Sequence, residues 1–329
     1  MPAGRLVSPV VNQPGPLSKH PLVAVVTPVY NGAAHLAECV ESVLSQTYEN
    51  WEYVIVDNCS NDQTEEIAAR YASRDDRIRV ITNDRFLDLI ENWNHALSQI
   101  SPESAYCKVV HADDAMTRDC LERMVGVARK HPSVAIVSAY RLNGDEVDLD
   151  GVIPWGTEVV PGREICRTTL LGGGYVFGSP SSLLVRSDLI RAKDRFYNEE
   201  NLHADLEACF DLLRTGDLGF VHQVLTHTRR HAGSQTSGAA SLSTHMSGWL
   251  RALTTYGPLY LGDYEYQRRL ALALRRYGWF LTKSAARGRF RDDRFRTHHL
   301  ATLRMLRQSV GWAEAVRGLA PGLPGTSGP

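Results

Sequence analysis

The 329-residue chain is 43% apolar and carries 36 Lys and Arg against 37 Asp and Glu, which suits a large folded core and argues against a general polyanion binder. Its six cysteines, at 39, 59, 107, 120, 166 and 209, form no CxxC pair, so a reducing compartment is expected rather than a disulfide framework or a zinc knuckle. No run of 18 or more apolar residues occurs, and residues 1–20 have the character of a Pro/Gly tail rather than a signal peptide.

Leu22 to Val26 is an apolar run that breaks at Thr27-Pro28 into a polar turn. Leu36, Cys39, Val40, Val43 and Leu44 recur at three- and four-residue steps and predict an amphipathic helix; Tyr53 to Val56 is a second buried-type strand, stopping at Asp57. Two such strands around one helix make a βαβ unit of a parallel sheet, whose ligand crevice lies beyond the carboxyl ends of its strands. Thr27-Pro28-Val29-Tyr30 and Asp57-Asn58 stand at those ends. Ser60, Asn61 or Asp62 can cap a following helix through Ile67, Ala68 and Tyr71. A third strand is expected over Ile78 to Ile81, with Asn83 and Arg85 at its exit, then a helix through Leu87, Ile90, Trp93 and Leu97. Tyr106 to Val110 is a fourth strand running into His111-Ala112-Asp113-Asp114, so four strand ends converge on one rim. Lys108 within it either reaches an acidic neighbour or the ligand, or snorkels from an edge strand.

The second half is patterned differently. A helix near Thr117 to Arg129 and a strand over Val134 to Ser138 precede a Gly-, Asp- and Pro-rich loop from Asn143 to Gly162. The segment GGGYVFGSPSS leads into a strand over Ser182 to Arg186; its glycines permit close backbone approach or simply tight turns, and Ser179 and Pro180 could shape an acceptor wall. A helix around Ala204 to Arg214 opens with Asp205 and Glu207. Strand pieces over Leu218 to Val221 and Val224 to Thr228 then lead to Arg229-Arg230-His231. From Ser241 onward the pattern is helical, with arginines interleaved among Trp279, Phe280, Phe290 and Phe295. Such helices either pack their aromatics with arginines in solvent or touch an anionic membrane peripherally; no nucleic-acid module accompanies them.

Asp113 and Asp114 are adjacent carboxylates at a strand end, costly unless a cation or hydrogen-bond donors offset them. Such hard oxygen ligands suit Mg2+ or Mn2+ shared with substrate phosphates. The chain has no Gly-Lys-Ser/Thr phosphate loop, and TPVYNG has one glycine where a dinucleotide fingerprint needs three, which argues against kinases and dehydrogenases.

The stretch TPVYNGAAHLAECVESVLSQTYENWEYVIVDNCSNDQT, followed by HADD and more loosely by HADLEACFDLL and RRHAGSQT, resembles the inverting nucleotide-sugar glycosyltransferases of the large bacterial glycan-synthase family, glycosyltransferase family 2-like. The resemblance covers about residues 21–235. It implies an α/β fold of the GT-A type, a Rossmann-like, mostly parallel sheet flanked by helices, here with a helical C-terminal extension. It further implies a UDP-, GDP- or dTDP-linked sugar donor, a hydroxyl-bearing glycan or lipid-linked acceptor, and Mn2+ or Mg2+. Carried over by position, Thr27, Val29 and Tyr30 would hold the base and ribose, Asp57 the base, and Asn83 or Arg85 the base or phosphates. Asp113, with Asp114 beside it, would bind the metal, and His231 the metal or a phosphate. Asp205 matches the catalytic base, with Glu207 as support or acceptor contact.

Ala204 and His111 stand where the family pattern has Glu and Asp, and a noncatalytic nucleotide-sugar-binding subunit is the alternative those departures leave. A nucleotidyltransferase would need a basic Gly-rich loop near the first strand, which is missing. The expected organisation is a tail at 1–20, a nucleotide-sugar-binding part at 21–115, an acceptor and catalytic part at 116–235, a helical extension at 236–318 and a tail at 319–329. A cytoplasmic protein is expected, with a peripheral position at the inner membrane face left open.

Overall fold

Residues 19–148, 153–230 and 242–311 are described by the structure, a computed structural model. The first strand, β1 (Val23–Val29), is buried at all seven positions and lies in the middle of a parallel group. It pairs with β2 (Trp51–Asp57) on one side and β4 (Tyr106–Val109) on the other, and β2 pairs in parallel with β3 (Ile78–Thr82). A strand covered on both faces has no water-facing side, which is why these segments are continuous apolar runs. Their side chains divide by parity: Ala24, Val26, Val54 and Val56 enter one core cluster, Val23, Val25, Tyr53 and Ile55 the other.

Helices α1 (Leu36–Leu44), α2 (Thr64–Ala72) and α3 (Leu89–Ser98) link these strands, α1 contributing Leu36, Cys39, Val40 and Val43 to the second cluster and α3 contributing Ile90, Ala96 and Leu97 to the first. The remaining strands are β5 (Ala115–Met116), β6 (Val134–Asn143), β7 (Glu146–Asp148), β8 (Val159–Val160), β9 (Leu184–Arg186) and β10 (Asp217–Thr228). Among the described residues they complete one sheet in the order β3-β2-β1-β4-β9-β6-β10-β5, with β7 on β6 and β8 on β10. The pair β6·β10 is parallel, whereas β9 runs antiparallel between β4 and β6. Helices α4 (Cys120–Lys130), α5 (Gly162–Leu171), α6 (Ser187–Arg191) and α7 (Ala204–Leu212) flank this half.

Three expectations change. The stretch from Asn143 to Gly162 is not loop throughout, since β7 pairs with β6 and β8 with β10 within it. The two strand pieces over 218–228 are one strand, interrupted by a register irregularity between Val221 and Val224, which a short apolar–polar–apolar reading mistakes for a turn. Lys108 is not an edge lysine: β4 lies between β1 and β9, and the side chain is fully buried.

The C-terminal helices α8 (Thr244–Tyr260), α9 (Asp263–Ala286) and α10 (Asp293–Val310) form an extension joined to the first core cluster. Tyr256 stacks on Phe210 of α7 at 4.9 Å and donates to the Asp211 carboxylate at 2.8 Å; Tyr260 donates to the Phe210 carbonyl at 2.6 Å. At the other end of α7, the His203 ring lies against Gly248 and meets the Thr244 hydroxyl at 3.2 Å. Asp292 caps α10, accepting from the amides of Arg294 at 2.8 Å and Phe295 at 3.2 Å.

Two glycines test this packing in opposite directions. A Cβ on Gly162 would run into the carbonyl oxygens of Gly216 and Leu213, so Gly162→Ala should destabilise the chain by about 1–3 kcal/mol. Gly126, exposed inside α4, has nothing within 4 Å of a Cβ, and Gly126→Ala should stabilise by about 0.5–1 kcal/mol. Urea midpoints of the two variants should move to opposite sides of the wild type.

Candidate active site

The carboxyl ends of β1, β2, β3 and β4 lie side by side; the backbone ladder runs one residue past them, the Asn58 amide to the Val29 carbonyl at 2.8 Å and the Asn83 amide to the Asp57 carbonyl at 2.9 Å, and side chains tie the loops beyond. The Asn31 amide donates to the Ser60 hydroxyl at 2.8 Å, and the Asn61 amide donates back to the Asn31 side-chain oxygen at 2.9 Å. Ser60 in turn donates to Asp57 through both hydroxyl and backbone amide. The Gly32 amide meets the Thr64 hydroxyl at 2.8 Å and the Ala33 amide the Asp62 carboxylate at 3.1 Å. Two residues here, Asn31 and Cys59, take the left-handed backbone at φ 50 and 58. Asn adopts that conformation readily, whereas Cys pays a steric cost that the surrounding bonds must offset.

This places the expected donor residues unequally. Asp57 is buried and caps the turn through Ser60. Thr27 is buried with its hydroxyl spent on the Val110 carbonyl at 2.7 Å and Tyr53 at 2.8 Å, so only its backbone is left for a ligand. Val29 is buried, while Tyr30 is exposed and packs edge-on against exposed Phe86 at 4.9 Å. Asn83 donates to Asn58 at 2.8 Å and Asn92 at 3.0 Å, which leaves its buried side-chain oxygen without a partner among the described residues. Arg85 reaches out from the rim and pairs with Glu91 at 2.5 Å.

The acidic loop after β4 is held from three sides. The His111 amide donates to the Ser181 hydroxyl at 3.0 Å, and the His111 ring stacks on Trp93 of α3 at 4.9 Å and 28°. From the end of β10, the Arg229 amide donates to Asp114 at 3.2 Å, and the side chain donates to the Asp113 carbonyl at 3.3 Å and to Glu38 of α1 at 2.6 Å. Beneath, Lys108 donates to the Ser181 carbonyl at 2.5 Å. Burial lowers the pKa of that lysine, and Cys120 and Asp114 are among the groups acting the other way. Asp114 is raised, first by its own burial, against the pull of His111 and Ser181. One carboxylate oxygen of Asp114 and Nε2 of His111 are buried and have no hydrogen-bond partner among the described residues.

Asp205 belongs to the first turn of α7. Burial raises its carboxyl above the ordinary value, opposed by backbone amides at the helix start and by the charges of His203 and His111. His111 therefore acts on both Asp114 and Asp205, and the acidic loop and the start of α7 share one electrostatic neighbourhood. Glu207 accepts from Asn198 at 3.1 Å and Asn201 at 2.8 Å, bracing the loop before α7. Pro180 is buried in a single 3-10 turn, and the Ser179 hydroxyl there is buried without a partner among the described residues. His231 lies outside the described residues.

Residues 24–189 match the model of the family described as Glycosyl transferase family 2. The chain belongs to that family. Proteins similar to it include one described as a putative glycosyltransferase, EpsE of Bacillus subtilis (strain 168), 32% identical over 161 residues, and the glycosyltransferase GlyG of Streptococcus pneumoniae serotype 4, 27% identical over 231. The matches take in 47% of this chain and 57% of EpsE, and 65% of this chain and 72% of GlyG, so little more than half the length of EpsE is matched. Among solved structures, Staphylococcus aureus TarS in complex with UDP-GlcNAc superposes with a TM-score of 0.58 at 18% identity, over 79% of this chain and 73% of that one. The mannosyltransferase PcManGT from Pyrobaculum calidifontis, in complex with GDP-Man and Mn2+, gives 0.55 at 15% identity, over 92% and 88%. At these identities the likeness is one of fold, the GT-A architecture.

Among the described residues no group of three or more His, Cys, Asp or Glu side chains is placed to surround a cation. Mg2+ or Mn2+ bridging a diphosphate needs only one or two protein carboxylates, and the partnerless oxygen of Asp114 beside Asp113 meets that requirement.

Reading the sequence placed Asn58 at a strand end facing the crevice and Trp93 and Asn94 in the following helix, but did not find their bracing roles. Asn58 exchanges two bonds with the backbone of Leu87, at 2.8 and 2.9 Å, and accepts from Asn83; Asn94 exchanges two with the backbone of Tyr197, both at 2.8 Å. The available signal was two asparagines flanking a tryptophan in a helix whose other buried residues are apolar. Asn58→Ala strips three partners from buried groups and should destabilise by about 1–3 kcal/mol. A thermal melt checks this, and a melt unchanged within error would show that the Leu87 segment is held by other contacts.

Proposed function

We propose that the chain is a glycosyltransferase that moves a sugar from a nucleoside diphosphate sugar to a hydroxyl acceptor with inversion, as part of cell-surface glycan synthesis. The observation that carries this is the shared neighbourhood of the acidic loop and Asp205, which is only partly covered from solvent in the first turn of α7 and whose carboxyl desolvation raises, making it a stronger base than an ordinary carboxylate. Membership of family 2 supports the reaction class, and the donors in the TarS and PcManGT complexes support a nucleotide sugar. All six cysteines are free and five are buried, which supports a reducing, cytoplasmic site of action.

In this reading Asp57 and the rim residues Tyr30, Asn83 and Arg85 receive the nucleotide, with backbone of Thr27 and Val29 as the floor. Asp113 and Asp114 are the residues that would hold Mn2+ or Mg2+; PcManGT was solved with Mn2+. The bound cation would neutralise charge on the leaving diphosphate. Asp205 takes the proton of the acceptor hydroxyl as its oxygen attacks the anomeric carbon from the face opposite the diphosphate. The bond from that carbon to the diphosphate oxygen breaks, and the single displacement inverts the configuration. Glu207, through the loop it braces, and Ser179 with Pro180 bound the acceptor side.

Release of nucleoside diphosphate from UDP-, GDP-, dTDP- and CDP-sugars, with and without Mn2+ or Mg2+ and over a range of acceptors, tests the reading. One donor should be turned over; Asp205→Asn should lower the rate about 10²–10⁴-fold while donor still binds, and Asp113→Ala should remove the response to metal. A chain that neither binds nor turns over any donor overturns the proposal.

The raised Asp205 carboxyl adds a pH prediction. A base must be ionised, so the acidic limb of kcat/KM should lie above the ordinary aspartate value of about 3.9. For stability the sign is opposite. The folded chain keeps the proton longer than the unfolded chain, so this contribution is full below the unfolded pKa and is lost as pH rises through the folded one. Asp205→Asn, inactive, should therefore gain stability relative to wild type as pH rises from 4 to 8. A difference between the two that stays constant over that range would show that Asp205 ionises as freely folded as unfolded, and a change of the opposite sign would show that folding lowers its pKa.

A further inference from the structure

We propose that the outer face of α9 lies along an anionic lipid surface. Tyr264, Arg268, Leu272, Arg275, Trp279 and Lys283 follow one another at steps of three and four residues and so form one line on the helix. All six are exposed, Tyr264 at 77%, Trp279 at 59% and Leu272 at 41%. The other side of the helix is already occupied, with Leu270, Leu274, Tyr277 and Gly278 buried in the extension. The line is cationic as well as apolar. Arg268, Arg275 and Lys283 have no ion-pair partner among the described residues, and the Lys283 ammonium lies 4.3 Å over the Trp279 ring. The acids of the helix are confined to its first turn, where Glu265 is paired with Arg167 of α5. One turn beyond Lys283, the line runs into a hollow of about 540 Å³ at the junction of α9 and α10, floored by Ala285, Ala286 and Phe290 and edged by Arg287 and Arg291.

The composition of the line selects its partner. A soluble polyanion would satisfy the arginines and leave Trp279, Leu272 and Tyr264 in water. A bilayer interface matches both parts, since Trp and Tyr rings sit at headgroup depth while Arg and Lys stems cross apolar surface to reach lipid phosphates. No helix among the described residues is long and apolar enough to cross a membrane, so the contact is along the surface. At 1.5 Å per residue the line from Tyr264 to Lys283 extends roughly 28 Å, which sets many headgroups within reach. The inference goes beyond the donor reading and does not depend on it.

Co-sedimentation of the full chain with phosphatidylcholine vesicles, with and without phosphatidylglycerol, tests it. Binding should require the anionic lipid, weaken with salt, and shift Trp emission to the blue in wild type but less in Trp279→Phe. Arg268→Glu with Arg275→Glu should lower binding about tenfold or more, and Leu272→Ser with Trp279→Ser should lower it too, each with an unchanged circular dichroism spectrum. These positions are remote in role from the donor site, so nucleoside diphosphate release measured without vesicles should stay at the wild-type level. Failure to bind anionic vesicles, or equal binding by wild type and both variants, overturns the proposal. So does tight binding of heparin that is lost only in the arginine variant while vesicles are ignored, since the line would then be a polyanion site.

Discussion

A parallel strand that ends inside a protein leaves its next few backbone amides and carbonyls without a ladder partner, and each must be satisfied or lose about 1–3 kcal/mol. Everything at the rim of this sheet follows from how that requirement is met. Past the Asn58 amide, the loops after β1 and β2 do not pair with each other as backbone; they trade bonds through Asn31, Ser60, Asp57, Asp62 and Thr64. The β3 exit is held in the same way by Asn58 and Asn83. Short polar side chains can reach a neighbouring loop while keeping the backbone open toward solvent. The result is a rigid shelf whose upper surface is not consumed by its own bracing.

The acidic loop shows the same economy with charge. Asp114 is buried with one oxygen unpartnered, Lys108 is buried below it, and burial moves their pKa values in opposite directions, up for the acid and down for the lysine. Asp114 is nonetheless among the groups that favour the charged form of Lys108, while His111, Ser181 and the Arg229 amide favour the charged form of Asp114. A lysine that lies inside a central strand and donates to the Ser181 carbonyl supplies positive potential from beneath without occupying the crevice. Arg229 supplies it from the side, with its charge spent on Glu38 and its backbone on Asp114. The loop is thus held in an electrostatic setting that accepts anionic charge next to positive charge at the rim, as a diphosphate and its cation require.

Much of this was legible before any coordinates. The period-3.6 and buried-run patterns of residues 22–57 were enough for the βαβ unit, and the strand ends could be located because polar residues follow each apolar run at once. Sheet order was not legible: nothing local in Leu184 to Arg186 says that β9 enters antiparallel between β4 and β6 and so makes Lys108 a central residue. The same limit hid the bracing asparagines. A side chain that bonds a backbone 29 or 103 residues away carries no periodic signature, so Asn58 could be placed at a strand end and Asn94 in a helix without either partner being foreseen. Thr27 illustrates the converse, since a polar residue at a strand end can face inward, where Tyr53 and Val110 take its hydroxyl.

The helical extension also changes meaning once its contacts are counted as constraints on α7. Asp205 stands in the first turn of a helix only nine residues long, too short to hold its direction by its own hydrogen bonds. Its orientation has to come from packing. Tyr256 and Tyr260 of α8 grip the middle and end of α7, and His203, just ahead of its first turn, is pressed against Gly248. On the other side Trp93 of α3 packs against both His111 and Tyr197, and Asn94 fixes the backbone of Tyr197 in the loop that enters α7. The candidate base is therefore positioned by one element from the nucleotide half and one from the extension. A face of the extension that settled on a lipid surface would carry α7 with it as one packed unit. The start of α7, with Asp205, would then keep a fixed relation to that surface through the same contacts that hold it in place.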